Sequence, residues 1–293
     1  MTDPDAPPLW TGTAPPPRRV DPGLYVVSTP IGNLRDITLR ALDVLAAADL
    51  VLAEDTRVSA RLLTAYGIRT RLERCDDHAA ERAIPEVLER LEAGQVVALV
   101  SDAGTPLVSD PGYPVVRAAV AADLPVFPIP GASSLLAALT GAGLPSDRVL
   151  FAGFLPARSG ARRTALEALK APGQTVVVFE SGPRLAASLA DMAAVLGPRE
   201  AVVARELTKL HETWVRGPLD QLARDPRCQS PKGEMVIVIG PAAEAPADAA
   251  TLDQALGAEL ADRSVSEAAA RVAESLGLPR KQVYRRALEL SGR

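Results

Sequence analysis

The sequence has few of the residues that build covalent or metal-held scaffolds. Its two cysteines, Cys75 and Cys228, make no disulfide framework in 293 residues, and that scarcity suits a reducing cytoplasm. Two histidines, His78 and His211, lie far apart without Cys–His ligand spacing, so no metal site is expected. No apolar run reaches the ~18 residues of a membrane helix. No charged-then-apolar signal segment opens the chain, so no membrane partner is expected. A strong excess of one charge is also missing. The formal net charge of -4 advertises no polyanion such as DNA, and any RNA contact must come from a local patch.

What is present is an ordinary globular composition, 47% apolar and 23% charged, long enough for one large or two ordinary domains. The proline-rich residues 1–22 read as a disordered tail. The chain is organised around Ser101-Asp102-Ala103-Gly104-Thr105-Pro106, which follows the Val-rich run Gln95–Val100. Such a run reads as a buried parallel strand. Gly104 then lets the backbone turn, and Pro106 forbids an immediate return to sheet. Ser101 and Asp102 are thereby left at the carboxyl end of a strand, where open α/β sheets bind ligands. Asp102 could accept a ribose diol or a ligand cation, or could instead cap the next helix.

Other strands end in polar loops of the same kind. Leu24–Ser28 exits into Thr29-Pro30-Ile31-Gly32-Asn33-Leu34, with Asp36 or Thr38 as cap of the helix that follows. Asp49–Ala53 exits into Glu54-Asp55-Thr56-Arg57, either a salt-bridged helix start or a substrate-side cluster. Asp110 is expected to cap a helix that carries a proline in its first turn. Val126–Ile129 exits into Pro130-Gly131-Ala132-Ser133-Ser134, a turn whose small residues let a ligand approach the backbone. It has neither a P-loop lysine nor a nucleophile elbow. Past a joint at Gly143–Asp147, strands recur at 149–154, 175–179, 201–204 and 234–239, with Glu180-Ser181 and Arg205–Lys209 at their ends. Residues 241–251 read as a linker. A helical appendage follows over 252–293, with a Ser264-x-x-Glu267 capping box, a stop at Gly277, and Arg280, Lys281, Arg285 and Arg286 on its last helix.

Taken together, these loops resemble the tetrapyrrole-methylase-type, S-adenosylmethionine-dependent methyltransferases. The branch they are most similar to methylates a cytidine ribose 2′-oxygen in the decoding centre of small-subunit (16S) ribosomal RNA. The resemblance rests on residues 29–34, 53–57, 101–106, 110–113, 143–148, 204–209 and 232–235. Two departures stand out. The family tends to carry His-x-His-Asn-Glu where this chain has Asp76–Ala80, and Glu-Ser-Pro-His-Arg where it has Glu180-Ser181-Gly182-Pro183-Arg184.

The resemblance implies two α/β domains, 23–143 and 144–240, with the cofactor cleft between them, plus a helix-turn-helix-like domain over 252–293. It implies S-adenosyl-L-methionine as cofactor, the small ribosomal subunit as partner, and a homodimer. Pro30, Asp102, Gly104, Thr105 and Gly131 are the expected cofactor contacts from the first domain, with Ser133 and Ser134. Glu180 and Ala204 are those from the second. Glu54, Asp55, Arg57 and Lys209 are the expected catalytic set: Lys209 could lower a hydroxyl pKa while Glu54 or Asp55 takes the proton. Two rival readings are a methylase acting on a tetrapyrrole carbon and a non-catalytic RNA- or ribosome-binding protein.

Overall fold

The computed structural model describes residues 20–76, 80–170, 173–242 and 249–291. Most of the expected tail, His78 and the centre of the linker lie outside the described residues. The chain divides into two compact units, Met1–Pro241 and Ala242–Arg293.

The larger unit begins as a strand–helix alternation: β1 (Gly23–Val27), α1 (Leu39–Ala47), β2 (Leu50–Ala53), α2 (Thr56–Ala65), β3 (Leu72–Arg74), α3 (Ala80–Glu92), β4 (Val96–Val100), α4 (Tyr113–Ala121), β5 (Val126–Ile129) and α5 (Ser134–Ala142). Its strands form an all-parallel sheet in the order β3-β2-β4-β1-β5. Tyr25, Val27, Val51, Ala98 and Val100 point to one face and pack against Val44 and Leu45 of α1. Leu24, Leu50, Leu52, Val97 and Leu99 point to the other, against Val87 and Leu91 of α3 and Val115 of α4. Covering on both faces is why these strands read as unbroken apolar runs. Each fully buried Leu or Val contributes roughly 1.5–3 kcal/mol.

Three of the helix starts follow the local chemistry. The Thr38 hydroxyl accepts the Ala41 amide (3.1 Å), Asp55 caps α2 and Ser133 caps α5. The fourth does not. Asp110 is no cap; the residue before α4 is Gly112, at φ +110°, where a Cβ would lie 2.8 Å from Leu99 Cδ2. Only glycine lets the chain turn this close to the sheet. The Asp110 side chain is thereby released for another use.

The rest of the unit comprises β6 (Val149–Phe154), α6 (Ser159–Ala168), β7 (Thr175–Ser181), α7 (Gly182–Leu196), β8 (Glu200–Arg205), β9 (Thr213–Pro218), the short α8 (Leu219–Leu222) and β10 (Glu234–Ile239). The sheet order is β6-β7-β10-β8-β9; β6 and β7 are parallel and the other pairs antiparallel. One face packs on α6 and α7 through Leu166, Leu185, Leu189 and Met192. The opposite face, Val177, Val202, Val236 and Val238, packs on Ala138 and Ala142 of α5 together with Ile31 and Leu207. This shared core joins the two halves of the unit. Strands β3 and β9 escape the sequence reading: the first is three residues long, and the second is an edge strand ending in Gly217-Pro218.

The smaller unit is α9 (Ala249–Leu260), α10 (Val265–Leu276) and α11 (Arg280–Leu290) around Leu252, Leu256, Val272, Val283 and Ala287. Ser264 and Glu267 form the expected capping box, and Gly277 ends α10 at φ +64°. The basic face of α11 is smaller than the sequence implies. Arg286 donates to both oxygens of Asp253 (2.7 and 2.6 Å) and to Glu289 (2.6 Å), while Arg280, Lys281 and Arg285 are exposed.

Gly182 offers a test of how tightly α7 is seated. A Cβ there would fall 1.7 Å from the Pro231 carbonyl oxygen, so Gly182→Ala must displace backbone. Urea unfolding of this variant is expected to show a lower midpoint, with a loss of about 1–3 kcal/mol, as for other overpacked sites.

Candidate active site

Three strand exits are tied together before any pocket forms. The Thr29 amide donates to the Gly104 carbonyl (2.8 Å) and the Gly104 amide to the Thr29 carbonyl (3.0 Å), so the β1 and β4 exits pair like a miniature sheet. The Thr29 hydroxyl donates to the Ser101 carbonyl (3.2 Å). The Thr105 hydroxyl donates to the Ala132 carbonyl (3.2 Å), which leaves Ser28 as donor in their 3.1 Å contact. Gly131 completes the knot by closeness alone, since a Cβ would lie 2.9 Å from Ser28 Cβ.

Against this knot lies a pocket of about 440 Å³ between the two sheets. The first half contributes Glu54, Asp102, Gly104, Thr105, Ser133 and Ser134; the second contributes Glu180, Ala204 and Lys209. A second pocket of about 320 Å³ shares Ile31, Asp102, Ala103, Lys209 and Glu234 with it and is also lined by Pro30. Asp102 is not a helix cap: its Oδ1 accepts the Asp55 amide (2.9 Å), which pins the β4 exit to the β2 exit. Both backbone groups of Gly104 are consumed by Thr29, so it lines the pocket without offering a free amide. Gly131 lines neither pocket.

Asp55 and Arg57 line neither pocket either. Arg57 donates from Nε (3.0 Å) and Nη2 (2.5 Å) to the Asp55 carboxylate, and its amide donates to Asp55 Oδ1 (2.8 Å). The Arg57 hydrogen bonds hold the Asp55 carboxyl far below the usual carboxylate range, which makes it a poor proton acceptor. Glu54, its neighbour, lines the larger pocket. Glu180 is buried there and well satisfied, accepting from the Ser181 amide (2.8 Å) and the Ser188 hydroxyl (2.5 Å) and pairing with Arg184.

Lys209 sits in a carboxylate clamp. Its Nζ donates to Glu206 Oε1 (2.9 Å) and Glu234 Oε2 (3.0 Å). Burial pulls its pKa down, but the two carboxylates outweigh that and the net shift is upward, so the ammonium stays charged. Two glycines make the clamp possible. A Cβ on Gly32 would strike Lys209 Cγ at 2.4 Å, and one on Gly233, at φ +101°, would strike Glu206 Oε1 at 2.4 Å. Glu206 and Thr208 themselves carry positive φ, +50° and +65°, so this loop is held in strain beside the pocket.

The sequence reading missed several lining residues. Glu234 begins β10, Phe154 and Phe179 meet edge to face at 5.5 Å, and Asp110 sits near Asp102. For Asp110 the signal was in view, since Asp110-Pro111-Gly112 was read as a helix start and Gly112 alone makes that start. Among the described residues, no group of three or more His, Cys, Asp or Glu could hold a metal ion, and no helix is long and apolar enough to cross a membrane.

The sequence profile of the tetrapyrrole (corrin/porphyrin) methylases matches residues 23–223, and that of the RsmI C-terminal HTH domain matches residues 246–291. A ribosomal RNA small subunit methyltransferase I from Mesorhizobium japonicum is 51% identical over 277 residues, 94% of each chain. The chain belongs to the ribosomal RNA small subunit methyltransferase I family. Its counterpart from Escherichia coli O157:H7 is 46% identical, covering 92% of this chain and 96% of its own. The fold alone is shared with the methyltransferase CobJ (TM-score 0.57, 19% identity, 75% of this chain and 95% of that one). It is shared likewise with a Thermus thermophilus uroporphyrin-III-C-methyltransferase (TM-score 0.53, 22% identity, 74% and 93%). The two-sheet unit is thus a tetrapyrrole-methylase fold, and the chain is a methyltransferase.

In this family member the Asp110 carboxyl is pushed up, first by burial and then by the charge of Asp102, against a hydrogen bond from Ser101. A carboxyl raised in the folded state favours folding while protonated, and its ionisation weakens the fold as pH rises through the folded pKa. Asp110→Asn is therefore expected to raise the melting temperature at neutral pH. The gain should shrink as pH falls through the carboxylate range, and a gain that is the same at pH 3 and pH 7 would contradict this origin.

Proposed function

We propose that this chain transfers a methyl group from S-adenosyl-L-methionine to the ribose 2′-oxygen of a cytidine in small-subunit (16S) ribosomal RNA. The observation that carries the reading is the mixed-charge wall between the two pockets, where Asp102 and the clamped Lys209 ammonium face both. Carbon methylation of an activated ring would need no such wall, whereas a ribose hydroxyl is a weak nucleophile and gains from it. The names borne by the 42–51% identical relatives favour the same substrate.

The larger pocket fits the cofactor by size and donor set. Its 440 Å³ falls within the roughly 300–1,000 Å³ of small-molecule sites. Asp102 and Asp110 suit a ribose diol or an ammonium, Phe154 and Phe179 an adenine face, and the N-terminus of α5 at Ser133 and Ser134 a carboxylate. Bound there, S-adenosylmethionine supplies an electrophilic methyl group on a sulfonium. The chain's own residues align the hydroxyl, exclude water and handle its proton. Glu54 accepts that proton in this reading, since Asp55 is spent on Arg57 and the α2 cap. Lys209 stabilises the negative charge that develops on the oxygen.

The exposed Arg280, Lys281 and Arg285 of α11 supply the local patch for RNA phosphates that the overall charge does not. The enzyme would work in the cytoplasm as a homodimer, for which exposed Tyr113, Val120 and Leu136 offer apolar surface.

The test is methylation of small ribosomal subunits with labelled cofactor, followed by alkaline hydrolysis of the RNA. A 2′-O-methyl blocks cleavage at its own linkage, and label in an uncleaved dinucleotide is expected; label in a mononucleotide would place the methyl on the base. Glu54→Gln and Lys209→Ala should keep cofactor affinity and lose rate, on the order of 10²–10⁴-fold for loss of a general base. Asp55→Asn should lose far less.

A further inference from the structure

We propose that the second pocket, between the β1 exit loop and α2, seats the acceptor nucleotide, with Arg61 holding its phosphate. This rests on the methyl-transfer reading above and assigns the half of the site that reading leaves open. The first argument is contiguity. The two pockets adjoin along shared lining that includes Asp102 and Lys209, so a methyl donor in one and a hydroxyl in the other would meet beside the charged groups. Of the cofactor-suited features, the α5 N-terminus, the Phe154–Phe179 pair and Asp110 lie on the first pocket alone, and only Asp102 is shared with the second.

The second argument is size and lining. About 320 Å³ is at the lower end of small-molecule sites, roughly 300–1,000 Å³, and suits one nucleotide rather than stacked or paired RNA. Reaching a single nucleotide in folded RNA requires splaying it out of its stack, and such a nucleotide needs a pocket of its own. Leu34, Val58 and Leu62 give that pocket an apolar side on which a base face can rest. The Tyr66 hydroxyl donates to the Leu34 carbonyl (2.6 Å), which fixes this side before the ligand arrives.

The third argument is charge. Arg57 and Arg61 lie one turn apart on α2 but differ in their commitments. Arg57 is forked onto Asp55, whereas among the described residues Arg61 makes no ion pair and is exposed at the pocket. An uncommitted guanidinium beside an apolar wall is the arrangement that a nucleotide phosphate calls for.

Two variants of the full chain test this, with unmodified small ribosomal subunits as substrate and S-adenosylhomocysteine as probe of the cofactor site. Arg61→Glu is expected to raise KM for subunits about tenfold or more, to change kcat less than about twofold, and to flatten the salt dependence of subunit binding by about one ion. Val58→Trp places bulk in the pocket from a partly exposed position that tolerates it. Its kcat/KM should fall about 100-fold or more, with S-adenosylhomocysteine affinity within about twofold of wild type. Wild-type KM and kcat in both variants would overturn the proposal. So would a parallel loss of S-adenosylhomocysteine binding, which would hand the pocket to the cofactor. Failure of the underlying reading looks different: the wild-type chain itself would leave subunit 2′-hydroxyls unmethylated.

Discussion

The pairing of Thr29 with Gly104 is the constraint on which the rest of the site depends. A parallel sheet delivers its strand ends to one edge but does nothing to hold the loops beyond them. Here two backbone hydrogen bonds, at 2.8 and 3.0 Å, extend the ladder past β1 and β4 in antiparallel sense. Left unpaired, those buried backbone groups would each cost about 1–3 kcal/mol, so the pairing is strongly enforced. Gly104 meets it at φ +85°, a conformation that a side chain would resist. Asp102 is positioned as a consequence, since Ser101 just before it and Gly104 two residues after it are both bonded to Thr29.

The second half of the unit meets this frame with charge rather than backbone. Glu206 bonds the Glu234 amide (3.0 Å) as well as Lys209, so the clamp holds its own geometry and not only its ammonium. Two carboxylates around one ammonium leave the cluster net negative, which would suit the sulfonium of the proposed cofactor. It also means that Lys209 arrives charged and oriented, with its stem laid over Gly32 of the opposing loop. The β1 exit is therefore both the anchor of the first half and the surface against which the second half places its cation.

Much of the fold could be read from the chain. The Val-rich runs became central strands because both sheet faces are covered, and Thr38, Ser133, Ser264 and Gly277 act as caps where local chemistry says they should. The candidate site was partly legible at strand ends and in the loops beyond them: Glu54, Asp102, Thr105, Ser133, Ser134, Glu180, Ala204 and Lys209 line one pocket. What could not be read was how neighbours divide the work. Glu54 and Asp55 are adjacent carboxylates, and only the course of α2 decides that Asp55 is the cap. Arg286 looks like Arg285 until Asp253, 33 residues away, claims it. Asp110 was misplaced because a start signal, Asp-Pro-Gly, was satisfied by its glycine alone.

These divisions share a physical logic. A polar side chain held by a helix start or an ion pair is fixed in place before a ligand arrives: Asp55 and Arg57 are spent on each other and line neither pocket, whereas Glu180 and Lys209 are held by their partners and still line the larger one. Asp110 remains, near enough to Asp102 for their like charges to oppose each other. So do the loops at Leu107 and Ser109, φ +71° and +67°, and at Glu206 and Thr208, which hold strained backbone on both sides of the same cleft. Like charge and strained backbone both weaken the fold, and a cationic ligand between Asp102 and Asp110 would offset the first of these. A cation bound there would gain affinity from the repulsion it removes, a penalty that folding leaves in place.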